Sequence, residues 1–275
     1  MPYALVQLLL HGVLEDRDLS SLRWVKFGGE PFPPKHLRAL QKLMPNARFS
    51  NVYGPAEVNQ CTIYNVPPLA EDDDEPLPIG TIWPNAEGLI VDADDEPVAT
   101  GEAGELLVRT PTMMQGYWNR PDLNADAFFY RSAPGGMTDR FYRTGDLVQR
   151  RSDGDLDFLG RMDRQVKTRG YRVELDEVEA ALLTHDAVAE TAVFPVPDAS
   201  GTLRIEAAVI SREGTGLTEN DLRRHLASRL PAYAIPTTFA LVETFPRTSN
   251  GKIDRLALQE ASTASADAAE NTALT

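Results

Sequence analysis

Between Tyr142 and Glu179 the chain sets charged and polar residues at fixed offsets between short apolar runs. YRTGDL occupies Tyr142–Leu147, and DGDLDFLGRMDRQVKTRGYRVELDEVE runs from Asp153 to Glu179. Leu156–Leu159 and Val173–Leu175 read as short strands. Around them stand Asp146, Arg161, Asp163, Lys167, Arg169, Gly170, Arg172 and Glu174. Two surface hairpins with solvated charges account for any one of these residues but not for the whole set.

The segments before this stretch alternate strand and helix. Pro2–Leu14 spaces its leucines as a helix does, Leu22–Phe27 reads as a strand closed by Gly28-Gly29-Glu30-Pro31, and Pro34–Met44 places Leu37, Leu40 and Leu43 on one helical face. Ala47–Val52 is a second strand. The β-α-β order implies parallel strands joined by a right-handed crossover, with a ligand crevice outside their carboxyl ends. The second strand ends in Asn51-Val52-Tyr53-Gly54-Pro55-Ala56-Glu57, where the Gly-Pro turn is either an ordinary tight turn or part of a crevice wall. The acidic run Glu71–Glu75 is a solvated loop. Leu77–Val148, with strands at Gly88–Asp92, Gly104–Arg109 and Arg140–Tyr142, reads as a small β-rich subdomain.

From Val166 the pattern changes. A hairpin to Val173 leads into a helix over Asp176–Leu183 with acidic residues in its first turn, as the helix dipole prefers. Strands at Val188–Pro195 and Ile205–Ser211 and a helix at Thr218–Arg229 follow. Together they make a separate small α+β domain whose boundary falls near Asp163. Ser249-Asn250-Gly251-Lys252 is a tight turn, and on spacing alone it is a hairpin turn carrying a surface lysine. Residues 261–275 are mostly Ala, Ser, Thr and acid, and are expected to be disordered.

Composition removes several functions. A net charge of -14 over 275 residues repels polyanions, so no nucleic-acid partner is expected. Cys61 is the single cysteine and has no histidine at metal-ligand spacing, which suits a reducing cytoplasm and argues against zinc or iron. The apolar start, Ala4–Leu14, is too short to span a bilayer, and no membrane association is expected.

Taken together, these motifs resemble the adenylate-forming (AMP-binding) superfamily, in particular the amino-acid adenylation domains of nonribosomal peptide synthetases and their stand-alone relatives. That family carries YRTGDL followed by GRxDxQVKxRGxRxELxEVE. Asn51–Glu57 resembles its NxYGPTE motif, with Ala56 in place of threonine. Gly104-Glu105-Leu106 with Gly116-Tyr117-Trp118 and Arg120-Pro121 resembles GELxxxGxxxxxGYxxRP, whose role is structural. Leu230–Pro236 resembles LPxYxIP, and Asn250–Arg255 resembles NGKxDR.

The resemblance implies an α/β plus α+β fold. Residues 1–162 would be the C-terminal part of a large nucleotide- and substrate-binding domain, and 163–260 a small domain hinged at Asp163. It implies ATP-dependent activation of a carboxylic acid, with an amino acid as the leading expectation, to an acyl-adenylate with release of pyrophosphate. The acyl group then passes to a phosphopantetheine thiol on a carrier protein or to CoA. ATP and Mg²⁺ are the implied cofactors. Asn51, Tyr53, Gly54, Asp146, Phe158 and Arg161 would hold the nucleotide: Tyr53 and Phe158 on either side of the adenine, Asn51 at its amino edge, Asp146 on the ribose diol. Glu57 would hold Mg²⁺, and Lys252 would stand between the substrate carboxylate and the α-phosphate. Lys26, Gly28, Val52, Gln60 and Cys61 match the lining of the acid pocket, and Lys167 and Gly170 the face presented for thiolation.

Two departures bear on this expectation. Ala56 lacks the hydroxyl that contacts the α-phosphate in relatives, and Phe158 replaces a tyrosine but keeps the stacking face. The family's TSGTTGxPK phosphate loop does not occur in this sequence. The expectation is therefore a chain that begins mid-domain and is inactive alone, either one half of a split ligase or a shortened reading frame. The alternatives are a non-catalytic remnant that binds a carrier protein or nucleotide, and a fragment of an acyl- or aryl-CoA ligase.

Overall fold

The computed structural model describes residues 2–132, 134–198, 201–248 and 251–273. The chain divides into two units, Met1–Asp163 and Arg164–Thr275.

The first unit opens with α1 (Pro2–Leu10), β1 (Trp24–Gly28), α2 (Pro34–Leu43), β2 (Arg48–Tyr53), β3 (Thr62–Val66) and β4 (Thr81–Ile82), whose strands pair in the order β1-β2-β3-β4. α1 stops four residues before the expected Leu14, and Gly12 turns the chain with φ 65, a conformation common just past helix ends. Pro33 and Pro34 start α2 without cost, because the first N–H groups of a helix have no intrahelical acceptor. α2 is the crossover between β1 and β2, which run parallel from Trp24 opposite Arg48 to Gly28 opposite Val52. The two helices bury Val6, Leu37 and Leu40 against Phe27 and Phe49.

The same unit continues with β5 (Glu87–Val91), β6 (Ala103–Arg109), α3 (Pro121–Ala127), β7 (Phe128–Ser132), β8 (Thr138–Arg150) and β9 (Leu156–Arg161). Their order is β5-β6-β8-β7, with β9 also on β8. β8 is 13 residues long, far beyond the Arg140–Tyr142 expected from sequence. Its polar residues hide it from pattern reading, because Arg143, Thr144 and Asp146 find their partners inside the fold. Tyr53 at the end of β2, with Val58 and Cys61 from the connection to β3, shares one core with Leu106, Val108, Tyr142 and Val148 of the second sheet.

The second unit comprises β10 (Gln165–Thr168), β11 (Tyr171–Glu174), α4 (Leu175–Leu183), β12 (Val188–Pro197), β13 (Leu203–Ser211), α5 (Glu219–Ala227), β14 (Thr238–Leu241) and α6 (Arg255–Ala273). β12 and β13 are antiparallel and β13 and β14 parallel. α4 and α5 cover this sheet with Leu182, Leu222 and Leu226. A capping box between Thr218 and Asp221 fixes the start of α5. β10 and β11 are joined through Arg169 and Gly170 at φ 50 and 83, the two positive angles of a type I′ turn.

The tail differs from the expected disorder, because α6 continues through it to Ala273. Alanine is the strongest helix former, and Leu258 and Ser262 anchor the helix: the first packs beside Phe245, the second donates to Glu206. Ser249 and Asn250 of the lysine turn lie outside the described residues. Among the described residues no helix is long and apolar enough to cross a membrane.

Candidate active site

Parallel pairing sets the carboxyl ends of β1 and β2 side by side, and a cleft of ≈ 370 Å³ opens there, lined by Lys26, Gly28, Val52, Gly54, Ala56 and Gln60 among others. Two glycines make this approach possible. A Cβ on Gly28 would stand 1.9 Å from the Val52 carbonyl oxygen, and one on Gly54 would stand 1.6 Å from that of Asn59. Lys26 Nζ lies over the ring of Trp24 at 4.5 Å and that of Trp83 at 5.6 Å. Four of the five expected pocket residues thus line the cleft. Cys61 does not: its amide donates to the Tyr53 carbonyl at 2.8 Å, which turns the chain inward, and its side chain is 0% exposed in the core.

Asp146 is the electrostatic centre of the first unit. Only 1% exposed, it accepts from the Tyr53 hydroxyl through Oδ2 and from Arg161 Nη1 at 2.9 Å through Oδ1. The register of β8 and β9 places Asp146 opposite Arg161, and the same Nη1 donates to the Thr144 carbonyl at 2.7 Å. Thr144 Oγ1 donates to the Leu106 carbonyl at 2.7 Å and accepts from the Asp146 amide at 3.0 Å. Gly145, at φ 66, donates its amide to Glu105 Oε1 at 3.0 Å, and Glu105 pairs with Arg143 at 2.7 Å. Burial, and then the charge of Asp146, hold the Tyr53 hydroxyl well above the usual tyrosine range, so it remains a donor. Burial works against the charge on Arg161, but Asp163 and Asp146 outweigh it and hold the guanidinium above its ordinary value.

This geometry is closed to a nucleotide as it stands. A ribose diol reaches Asp146 only by displacing the Tyr53 hydroxyl or Arg161. The rings of Tyr53 and Phe158 are 6.2 Å apart at their centroids and tilted by 43°. Two rings that enclose a third in van der Waals contact need about 7 Å, so the expected sandwich requires the pair to separate. Asn51, half-buried, donates Nδ2 to the Pro78 carbonyl at 2.9 Å.

Glu57 follows β2 and accepts from the Tyr117 hydroxyl at 2.8 Å, while that hydroxyl lies 3.2 Å from the hydroxyl of Tyr142. Burial, then Tyr142 and Glu57, raise Tyr117 far above its ordinary value, so it stays protonated and anchors one oxygen of the carboxylate. A carboxylate fixed at a strand end is the hard-oxygen donor that Mg²⁺ takes together with phosphate oxygens and water, so the residue fits the ion.

In the second unit Lys252 is exposed on a turn in which the Thr248 amide donates to the Lys252 carbonyl at 2.8 Å and Arg247 bridges to Ile253. Lys167 lies on β10 opposite Arg172, and Gly170 supplies the hairpin's second positive φ. Asp163 closes the first unit, its Oδ1 accepting from Arg161 Nε at 2.8 Å. Tyr53, Asp146, Phe158, Arg161 and Asp163 therefore form one cluster in the first unit, and Lys167, Gly170 and Lys252 belong to the second. Tyr117, Glu105 and Arg143 were not singled out by sequence reasoning as site residues. The signal for Glu105 and Tyr117 was present in the two short motifs read as structural, Gly104-Glu105-Leu106 and Gly116-Tyr117-Trp118, and Arg143 stood inside YRTGDL.

Comparison with known proteins adds an independent line. Residues 1–118 match the family described as AMP-binding enzyme, and residues 177–252 match the AMP-binding enzyme C-terminal domain. An L-proline–[L-prolyl-carrier protein] ligase of Pseudomonas fluorescens is 37% identical over 258 residues, which are 94% of this chain and 49% of the ligase. Tyrocidine synthase 2 of Brevibacillus parabrevis is 37% identical over 242 residues, 88% of this chain and 6% of the synthase. The amide bond synthetase McbA of Marinactinospora thermotolerans superposes with a TM-score of 0.80 at 30% identity, covering 94% of this chain and 50% of that one. The adenylation domain AlmE of Vibrio cholerae, solved with glycyl-adenosine-5'-phosphate, gives 0.76 at 27%, covering 95% and 49%. The chain thus spans about half the length of the proline ligase and of these solved structures.

Proposed function

We infer, since this chain belongs to the AMP-binding enzymes, that it supplies the adenine, ribose, metal and carboxylate-activating residues of an AMP-forming acid–thiol ligase. Its substrate is an amino acid destined for a carrier-protein thiol. The relatives named for prolyl transfer to a carrier protein and for tyrocidine synthesis support the substrate class. The observation that carries the reading is the enclosed Asp146 carboxylate with its two donors, Tyr53 and Arg161. A carboxylate whose two oxygens each accept a donor can accept the two hydroxyls of a ribose diol once the Tyr53 hydroxyl or Arg161 gives way.

In the first half-reaction the substrate carboxylate attacks the α-phosphorus of ATP. A P–O bond forms to the acyl oxygen, the bond to the β-phosphate bridge breaks, and its electron pair leaves with pyrophosphate. Two anions meet in this step, so the site must supply positive charge to the transition state. Lys252 is the side chain we assign to that task, and Arg161 holds the nucleotide side. Glu57 would hold Mg²⁺, which when bound supplies positive charge to the phosphate oxygens. Ala56 offers no hydroxyl to the α-phosphate, which leaves more of that load on Lys252. In the second half-reaction the thiol sulfur attacks the acyl carbon and AMP leaves. Asp163 is the hinge we assign between the two steps, and Lys167 and Gly170 mark the face that meets the thiol-bearing partner.

Calorimetric titration of the chain with AMP tests the nucleotide assignment. Asp146→Asn removes the charge that the diol hydrogen bonds need and is expected to weaken binding by about tenfold or more. Unchanged affinity in a folded variant would remove Asp146 from the site.

A further inference from the structure

The second unit holds an ion cluster to which the chemistry above gives no role. Glu179 on α4 has a side chain 13% exposed. Its Oε1 accepts from the Val193 amide at 2.7 Å, Arg164 Nη2 at 2.8 Å and Arg255 Nε at 3.2 Å; its Oε2 accepts from Arg164 Nη1 at 2.8 Å and Arg255 Nη2 at 3.0 Å. Arg164 also reaches Asp176 and the Val193 carbonyl. Burial works against ionisation of Glu179, but Arg164, Arg255 and the Val193 amide hold its carboxyl below the ordinary range.

The position of the two arginines gives the cluster its meaning. Arg164 is the first residue of the second unit. Arg255 opens α6, three residues beyond Lys252. On the other stem of the lysine turn, Arg247 pairs with Glu190 of β12 at 2.7 Å. A guanidinium that meets a carboxylate through two N–H groups fixes orientation as well as distance, which an ammonium does not.

We propose that Glu179 is a positioning residue for Lys252: through Arg255 it fixes the stem of the lysine turn, and through Arg164 it makes that turn and the start of the unit one rigid body. The catalytic meaning rests on the assignment of Lys252 above; the mechanical statement does not. On the preceding residue, Asp163 is held to the first unit by Arg161. A reorientation at the 163–164 junction therefore carries Lys252 with it without slack.

Hydrogen–deuterium exchange on the full chain tests this with Arg255→Lys and Glu179→Gln. The amides of Thr248, Gly251 and Asp254 donate to the carbonyls of Lys252, Thr248 and Pro246 and report the turn directly. In Arg255→Lys these amides are expected to exchange about tenfold faster while β12 and β13 keep their wild-type rates. That variant leaves Glu179 paired with Arg164, so it decides the question even where Glu179→Gln unfolds. Unchanged exchange in the turn, or equal acceleration across the whole unit, would overturn the proposal. Exchange needs no turnover, so this outcome is separate from that of the ligase assignment, which a harmless Lys252→Ala in a pyrophosphate-exchange assay would sink alone.

Discussion

Asp146 is nearly sealed from water, and Tyr53 and Arg161 each donate to one of its carboxylate oxygens. The Tyr53 hydroxyl therefore competes with a ribose for the same oxygen. Tyr53→Phe keeps the aromatic face and removes the competitor, and is expected to cost the fold about 1.5–3 kcal/mol, the range for hydrogen bonds to charged groups, while tightening AMP binding. The alkaline limb of stability gives a second readout. The folded tyrosine is held well above 10.0, so the unfolded chain ionises first; its contribution is complete below that pH and is lost as pH rises through and beyond it. In Tyr53→Phe that alkaline loss shrinks. Weaker AMP binding by the variant would mean that the hydroxyl is itself a nucleotide ligand and not a competitor.

At the scale of elements, two glycines separate a backbone collision from a torsional preference. Gly54→Ala drives a Cβ into the Asn59 carbonyl, and is expected to cost more than about 3 kcal/mol. Gly154→Ala only places an alanine at φ 96 between β8 and β9, where its Cβ meets nothing within 4 Å, at a cost of about 1–2 kcal/mol. Urea midpoints at unchanged slope measure both, and equal losses would contradict the assignment of a closed cleft wall at Gly54. The same contrast explains what the sequence made legible. Helical spacing and glycine punctuation located β1, α2 and β2 to within a few residues, because those signals are local. The length of β8 and the burial of Asp146 were not legible, because Tyr53 lies 93 positions away along the chain and only the folded sheets bring the pair together. Cys61 was matched to the pocket lining by resemblance; its amide donates to the Tyr53 carbonyl, and its side chain is buried in the core, a direction that no motif encodes.

On the scale of the whole chain, the residues proposed for nucleotide and metal lie in the unit that ends at Asp163, and the lysine proposed for activation lies in the unit that begins at Arg164. The motifs marked both halves because their residues stand at short offsets along the chain. They could not announce that Asp146 is capped, nor that Glu179 ties Arg164 to Arg255, since no offset in the sequence encodes either contact. The measurement that bears most directly on the central claim is amino-acid-dependent ATP–pyrophosphate exchange. It is run on the chain mixed with a polypeptide that carries the N-terminal half of the relatives' adenylation domain, and repeated with Lys252→Ala. Exchange that requires both an amino acid and Lys252, and falls by about 100-fold or more in the variant, is the predicted result. Exchange that persists in Lys252→Ala, or that no amino acid elicits from the mixture, contradicts it.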